Sequence, residues 1–137
     1  MTRIVLDTNV VLSFLTDRDP RQQAAAAELF EQAAAGEKEL VLHQIVSTEL
    51  VYVLHNHYRV GGAETAATLR DLLALPGVLS ADSMPWPTLF DLWPARVPEF
   101  ADAVLAAVTK VGRHDALATF DTAFRRRLRR LGLTSYW

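Results

Sequence analysis

Four acids, Asp7, Glu49, Asp102 and Asp121, stand in or beside apolar segments, where a charge is costly to hold without a partner. Asp7 follows the apolar run Ile4-Val5-Leu6 and precedes Thr8-Asn9. A carboxylate there falls at the carboxyl end of a buried strand, the edge on which open α/β sheets place their chemistry. Asp121 follows Ala118-Thr119-Phe120 and reaches the same edge if that segment is also a strand. Glu49 falls beside Ile45 and Val53 on the wide apolar face of a helix. Asp102 opens the uninterrupted packing segment Ala103-Val104-Leu105-Ala106-Ala107. Carboxylates crowded together without a cation repel one another and raise their pKa values. The cations Mg²⁺ and Mn²⁺ prefer oxygen ligands, and Mg²⁺ usually keeps several waters while taking one or two carboxylates directly. Such ions acidify a bound water and neutralise charge at a phosphoryl group. Metal-dependent attack on a phosphodiester is the chemistry these residues serve best.

Each acid also has a plainer explanation. Asp7 and Asp121 can cap helices, and Asp102 lies in a first helical turn after Pro98-Glu99, where the helix dipole favours an acid. Glu99 shares that explanation, but Asp102 alone leads into the packing segment. Glu49 can form an ion pair with an arginine; unpaired and buried, it would take up a proton. The argument for a site rests on the four together.

The elements that must position them are legible in outline. Ile4-Val5-Leu6 predicts a short buried strand, and Asp7 or Thr8 can cap a helix through Val10, Val11, Phe14 and Leu15. Asp19-Pro20 starts a second helix, Ala-rich from Ala24 to Ala35 and stopped by Gly36. Leu40-Val41-Leu42 is a second strand. Helical spacing runs from Ile45 to about Tyr58 and ends at Gly61-Gly62. Ala63 to Leu75 forms another amphipathic helix, and Val78-Leu79-Ser80 a third strand. Residues 81–99, with Pro85, Pro87, Pro94 and Pro98 and both Trp86 and Trp93, are irregular apart from a short helix at Thr88 to Trp93. Phe100 to Val111 is helical, Ala116 to Phe120 a fourth strand, Ala123 to Leu131 a last helix, and Leu133 to Trp137 an edge strand. Strands alternating with helices predict a three-layer α/β/α sandwich around a mainly parallel sheet of four to five strands.

At 137 residues the chain is expected to be one domain, 1–137, burying roughly two-thirds of its unfolded surface. Half of it is apolar and 22% charged, a globular balance without a repeat or linker. The net charge of -2 sets no overall attraction to nucleic acid, so an RNA partner needs local basic patches. With no cysteine, disulfides, thiolate catalysis and cysteine–zinc sites are excluded. The start Met1-Thr2-Arg3 carries too short an apolar run for a signal peptide, and no stretch approaches the roughly 18 apolar residues of a membrane span. A cytoplasmic location is expected.

Four segments carry a resemblance to a known family: Val5-Leu6-Asp7-Thr8-Asn9, Ser47-Thr48-Glu49-Leu50-Val51-Tyr52-Val53-Leu54, Asp102-Ala103-Val104-Leu105-Ala106-Ala107, and Thr119-Phe120-Asp121-Thr122-Ala123-Phe124. In order and spacing they resemble the PIN-domain family, and within it the VapC-type toxin ribonucleases of bacterial toxin–antitoxin pairs. The resemblance implies that Asp7, Glu49, Asp102 and Asp121 form a catalytic acidic pocket for Mg²⁺ or Mn²⁺, with Asp7 and Asp102 the direct ligands. It implies that Asn9 and Thr119 support that pocket by hydrogen bonding. It further implies an endoribonuclease, a homodimer, and a cognate antitoxin covering the pocket. The segment from Asp82 to Glu99 matches no motif of the family.

Other residues tempt less. His43, His55, His57 and His114 are scattered, and His55 and His57 do not share a helix face. Asp115 precedes the fourth strand and is expected to be structural or solvated. Arg125-Arg126-Arg127 and Arg129-Arg130 surround the stripe Phe124, Leu128 and Leu131, as the solvated face of an amphipathic helix would. In an RNA-binding reading Arg113, Arg125, Arg126 and Arg129 track phosphates beside Asp121, and Trp86 and Trp93 either stack on bases or pin a loop. Two rivals remain: a binding module of the same fold that turns nothing over, and a haloacid-dehalogenase-like phosphatase. The second wants an Asp two positions after the first, where this chain has Asn9.

Overall fold

The computed structural model describes residues 1–137. Four strands, β1 (Thr2–Leu6), β2 (Lys38–His43), β3 (Val78–Ala81) and β4 (Ala116–Ala118), form one sheet in the order β3-β2-β1-β4, every pair parallel. Parallel neighbours need long crossovers, and seven helices supply them: α1 (Thr8–Leu15), α2 (Pro20–Ala34), α3 (Gln44–Asn56), α4 (Gly62–Ala74), α5 (Trp86–Leu92), α6 (Phe100–Val111) and α7 (Thr122–Arg130). The sheet steps outward from β1 to β3 and then returns to β4. Right-handed crossovers therefore put α1–α4 on one face and α5–α6 on the other, the expected three-layer sandwich. No helix is long and apolar enough to cross a membrane.

Covering both faces explains the strand sequences. Ile4, Val5, Leu6, Leu40, Val41, Leu42 and Ala116 to Ala118 are buried without alternation, as parallel strands between helices require. Along α6, residues Ala103 to Thr109 are also buried without a break, so this helix is the innermost of its layer. Short polar residues start the helices. Asp7 caps α1, Asp19 caps α2 ahead of Pro20, the His43 ring caps α3 and Asp121 caps α7.

Three expected boundaries move. The fourth strand, read as Ala116 to Phe120, ends at Ala118 because side chains capture the next backbone groups. Phe120 N–H donates to Asn9 Oδ1 (3.0 Å) and Asp121 N–H to Thr119 Oγ1 (3.1 Å). The edge strand expected at Leu133 to Trp137 shrinks to one bridge, Leu117 with Ser135. Its aromatic residues hold it instead, Trp137 stacking on Phe120 at 4.5 Å and the Tyr136 hydroxyl accepting from Lys38. The short helix expected at Thr88 to Trp93 runs from Trp86 to Leu92, with Pro87 in its first turn. Trp93 pins the following loop, packing edge-on against Phe100 and donating to the Pro98 carbonyl.

Candidate functional site

Strand register builds the site. Leu6 of β1 pairs with Ala118 of β4, so the next residues, Asp7 and Thr119, emerge side by side at the carboxyl edge. The Asp7 N–H still donates to the Ala118 carbonyl at 2.9 Å, which fixes where its side chain begins. That side chain is only 7% exposed. Its Oδ1 accepts the Thr8 N–H at 2.7 Å, and its Oδ2 accepts the Thr119 hydroxyl at 2.7 Å and Asn9 Nδ2 at 3.2 Å. The carboxylate that caps the helix is thus also the one the sequence singled out as a candidate ligand.

Thr119 is the hub. Its hydroxyl donates to Asp7 and accepts from Asn9 Nδ2 at 3.1 Å and from the Asp121 N–H, filling its hydrogen-bonding capacity. Arg125 closes this corner by donating Nε to the Thr119 carbonyl at 2.8 Å. Both supporting residues expected from the sequence, Asn9 and Thr119, therefore touch Asp7.

Glu49 meets no arginine. The Thr8 hydroxyl donates to its Oε1 at 2.7 Å, and the chain's one ion pair, Arg3 with Glu39, lies elsewhere. Asp121 is exposed and spends one oxygen capping α7, accepting the N–H groups of Ala123 and Phe124. Asp102 is half-buried in the first turn of α6 and accepts no hydrogen bond, while Glu99 is exposed.

The four carboxylates act on one another. Burial, before any charge, pushes the Asp7 carboxyl up to about 6. The Thr119 hydroxyl and the Thr8 N–H pull it back, and the charges of Glu49 and Asp121 add to the rise. Asp102 is pushed up to about 7, first by burial and then by the charges of Asp7, Asp121, Glu99 and Glu49. Yet no three acidic or histidine side chains converge on a common point to make a ready cage. The arrangement is a shared negative field with few direct ligands, suited to an ion that keeps its own waters.

The other expected site residues fall away from this edge. Arg113 follows the far end of α6, which ends at Val111, nine residues after Asp102 and roughly 14 Å along the axis at 1.5 Å per residue. It stands near the opposite edge, where neighbouring Asp115 bonds the backbone of Arg3. Arg113 therefore cannot stand beside Asp121, and Asp115 is structural as expected. Arg125 is near the acids but tied to the backbone. Arg126 and Arg129 are exposed on α7, whose buried residues are Phe124 and Leu128. His43 is buried as a helix cap, its other ring nitrogen bonded to the Ser83 carbonyl. Sequence reading missed Thr8 as the partner of Glu49; the only signal was its place directly after Asp7. It also missed Arg18, which donates Nη2 to the Asn9 carbonyl at 3.2 Å and lies in no motif.

The fold has relatives among solved structures. VapBC2 from Rickettsia felis, bound to a DNA fragment from its promoter, aligns over 99% of both chains at 13% identity and a TM-score of 0.69. VapC20 from Mycobacterium tuberculosis, a sarcin-ricin loop cleaving toxin, aligns over 96% of both at 19% identity and a TM-score of 0.67. PAE2754 from Pyrobaculum aerophilum aligns over 98% of this chain and 90% of its own at 17% identity, with a TM-score of 0.63. At these identities the likeness is one of fold. No curated protein matches the sequence. The sequence profile of the PIN domain matches residues 4–128, which takes in all four acids and both of their supporting residues, and the chain belongs to the PIN domain family.

Proposed function

We propose that the chain is a Mg²⁺- or Mn²⁺-dependent endoribonuclease and the toxin of a toxin–antitoxin pair. The observation that carries this reading is the set of four mutually repelling carboxylates at the carboxyl edge, none of them paired with a lysine or arginine. The donor set fits a hard cation: all oxygen, short of counter-charge, and open enough to leave room for water. Asp7 and Asp102 would hold the ion directly, with Glu49 and Asp121 completing the pocket. When bound, the ion supplies neutralisation of charge at the scissile phosphate and acidifies water.

The chain's own residues do the rest. Thr119, Asn9 and the Thr8 N–H aim the Asp7 carboxylate, and the Thr8 hydroxyl holds Glu49 facing it. Asp102 accepts no hydrogen bond, so its carboxylate would be free to hold the ion. Without the ion, the negative field repels the scissile phosphate, so the rest of the RNA must be held by groups outside the acid cluster.

PIN family membership supports a nuclease, and the likeness to VapBC2 and the VapC20 toxin supports RNA as substrate and an antitoxin as partner. An exposed RNA loop suits the site, because loops present unstacked bases. We assign the whole of 1–137 to a single domain, working in the cytoplasm as a homodimer. Exposed Leu73, Trp86 and Phe90 offer apolar surface for that pairing.

The test is cleavage of total cellular RNA by purified, antitoxin-free protein with Mg²⁺, with EDTA, and with Asp7→Asn. Discrete fragments should need both the metal and Asp7. Full activity in both Asp7→Asn and Asp102→Asn would contradict the assignment. Absence of stoichiometric Mn²⁺ binding would favour a binding module, a reading that the lack of a preformed cage keeps in play.

A further inference from the structure

A groove of about 440 Å³ lies between α1 and α3, lined by Leu12, Arg18, Tyr52, Val53, Asn56 and Tyr58, among others. That volume lies within the range of small-molecule and nucleotide sites. Along both helices the groove begins one turn beyond the site. Thr8 and Glu49, which bond each other at 2.7 Å, sit one helical turn before Leu12 and Val53, and Asn56 continues the same stripe of α3.

Its lining is chemically mixed. Arg18 is held only by neutral acceptors, the Asn9 carbonyl and the Ser13 hydroxyl, and no carboxylate pairs with it. Its Nη1 makes no bond within the chain. Arg18 is exposed and keeps donors free to bind an anion. Tyr52 is 67% exposed on the rim, more than packing alone would ask of an aromatic ring. At the far end Tyr58 packs edge-on with His57. The next residue, Arg59, takes the left-handed φ of 58, part of the turn that ends α3, where the Val60 N–H donates back to the Leu54 carbonyl.

We infer that this groove is a nucleotide subsite, holding the phosphate of an unpaired RNA residue on Arg18 and its base against Tyr52 and Tyr58. The inference rests on the ribonuclease reading of the adjacent acids. It explains how a protein with a net charge of -2 and a negative reaction centre holds a polyanion. The attraction sits one helical turn away, and neither Arg113 nor the tied Arg125 supplies it. An apolar helix of a partner protein in the same groove would desolvate Arg18 without a counter-charge, whereas a phosphate supplies one.

The experiment is fluorescence anisotropy of a short, fluorescein-labelled, single-stranded RNA of mixed sequence, titrated with the full chain in EDTA so that nothing is cut. Tyr52→Ala should weaken binding about tenfold, the loss expected of one base–aromatic stack. Arg18→Gln should weaken it comparably and lower the slope of log K against log salt by about one. Lys110→Gln, at the exposed far end of α6, should change neither. Circular dichroism of each variant establishes that it is folded. RNA binding undiminished in both Tyr52→Ala and Arg18→Gln would overturn the subsite and leave the acid cluster's assignment standing, the result expected if a protein helix fills the groove. Wild-type binding that these variants lose, without RNA cleavage under any metal, would support the subsite and remove the nuclease. No RNA binding by the wild type would overturn the subsite.

Discussion

The Thr119 hydroxyl is the residue on which the acid corner turns, because one donor and two acceptor positions of a single oxygen serve Asp7, Asn9 and the Asp121 backbone. Replacing it by the isosteric Thr119→Val keeps the packing and removes all three bonds. Buried polar groups left without partners typically cost 1–3 kcal/mol, so a loss of about 2 kcal/mol is expected in urea unfolding. Thr119→Ser keeps the oxygen and should cost about 1 kcal/mol or less for the missing methyl. If the valine variant is as stable as the wild type, the hydroxyl is not what organises this corner. At this scale the sequence was a fair guide to Asp7, which stands at a strand end, while Asn9 and Thr119 were legible only through the family resemblance. The arginine pair that was the plainer explanation for Glu49 is not formed; what the sequence did not show is its bond to Thr8, a contact between residues 41 apart.

Among the elements, α2 and the turn into β3 are fitted backbone to backbone. Gly77 has φ +80, and a Cβ there would lie 2.7 Å from the Ala33 carbonyl oxygen and 2.9 Å from the Ala33 Cβ. Gly36 has nearly the same φ, +79, but open space around it. Gly36→Ala should therefore cost about 1 kcal/mol, the left-handed penalty alone. Gly77→Ala adds a clash with backbone that cannot swing aside, and should cost about 2 kcal/mol or more. Thermal unfolding of the two variants side by side checks this, and equal losses would show that the close approach carries no weight. In the sequence Gly36 reads as a helix stop, and Gly77 looks no different from it as a residue type. The difference between them belongs to the packing of α2 on that turn, which no local signal carries. Likewise β4 looked two residues longer in sequence, because Thr119 and Phe120 favour strands while Asn9, which captures the Phe120 backbone, lies 111 residues away.

For the whole molecule, the raised acids tie stability to pH and metal. In the folded chain Asp7 and Asp102 keep their protons up to about 6 and about 7, against 3.8 ordinarily. Between those limits the folded state binds more protons than the unfolded one, so stability falls as pH rises from about 4 to about 7. Below that window both states are protonated and the penalty disappears; above it the penalty is complete. A cation that binds the ionised carboxylates reverses the trend, because it stabilises the folded state most where they are ionised. Melting temperatures in EDTA should therefore drop between pH 5 and 8 by more than in Mn²⁺, and Asp102→Asn should flatten the EDTA curve. An unchanged slope in that variant would mean that Asp102 is not the group held back.

What the sequence determined by itself was local: apolar runs that had to be buried strands, capping acids that had to start helices, and an alternation of the two that implied a parallel sheet. These follow from periodicity and backbone chemistry within a few residues, so no partner is needed to read them. What the tertiary structure decided was who meets whom. Pairing Leu6 with Ala118 brings Asp7 to Thr119, 112 residues away, and the direction of α6 takes Arg113 to the opposite edge. Packing α1 against α3 joins Thr8 to Glu49 and opens the groove beyond them. Such meetings depend on register and helix direction, and these are set by burying the core as a whole.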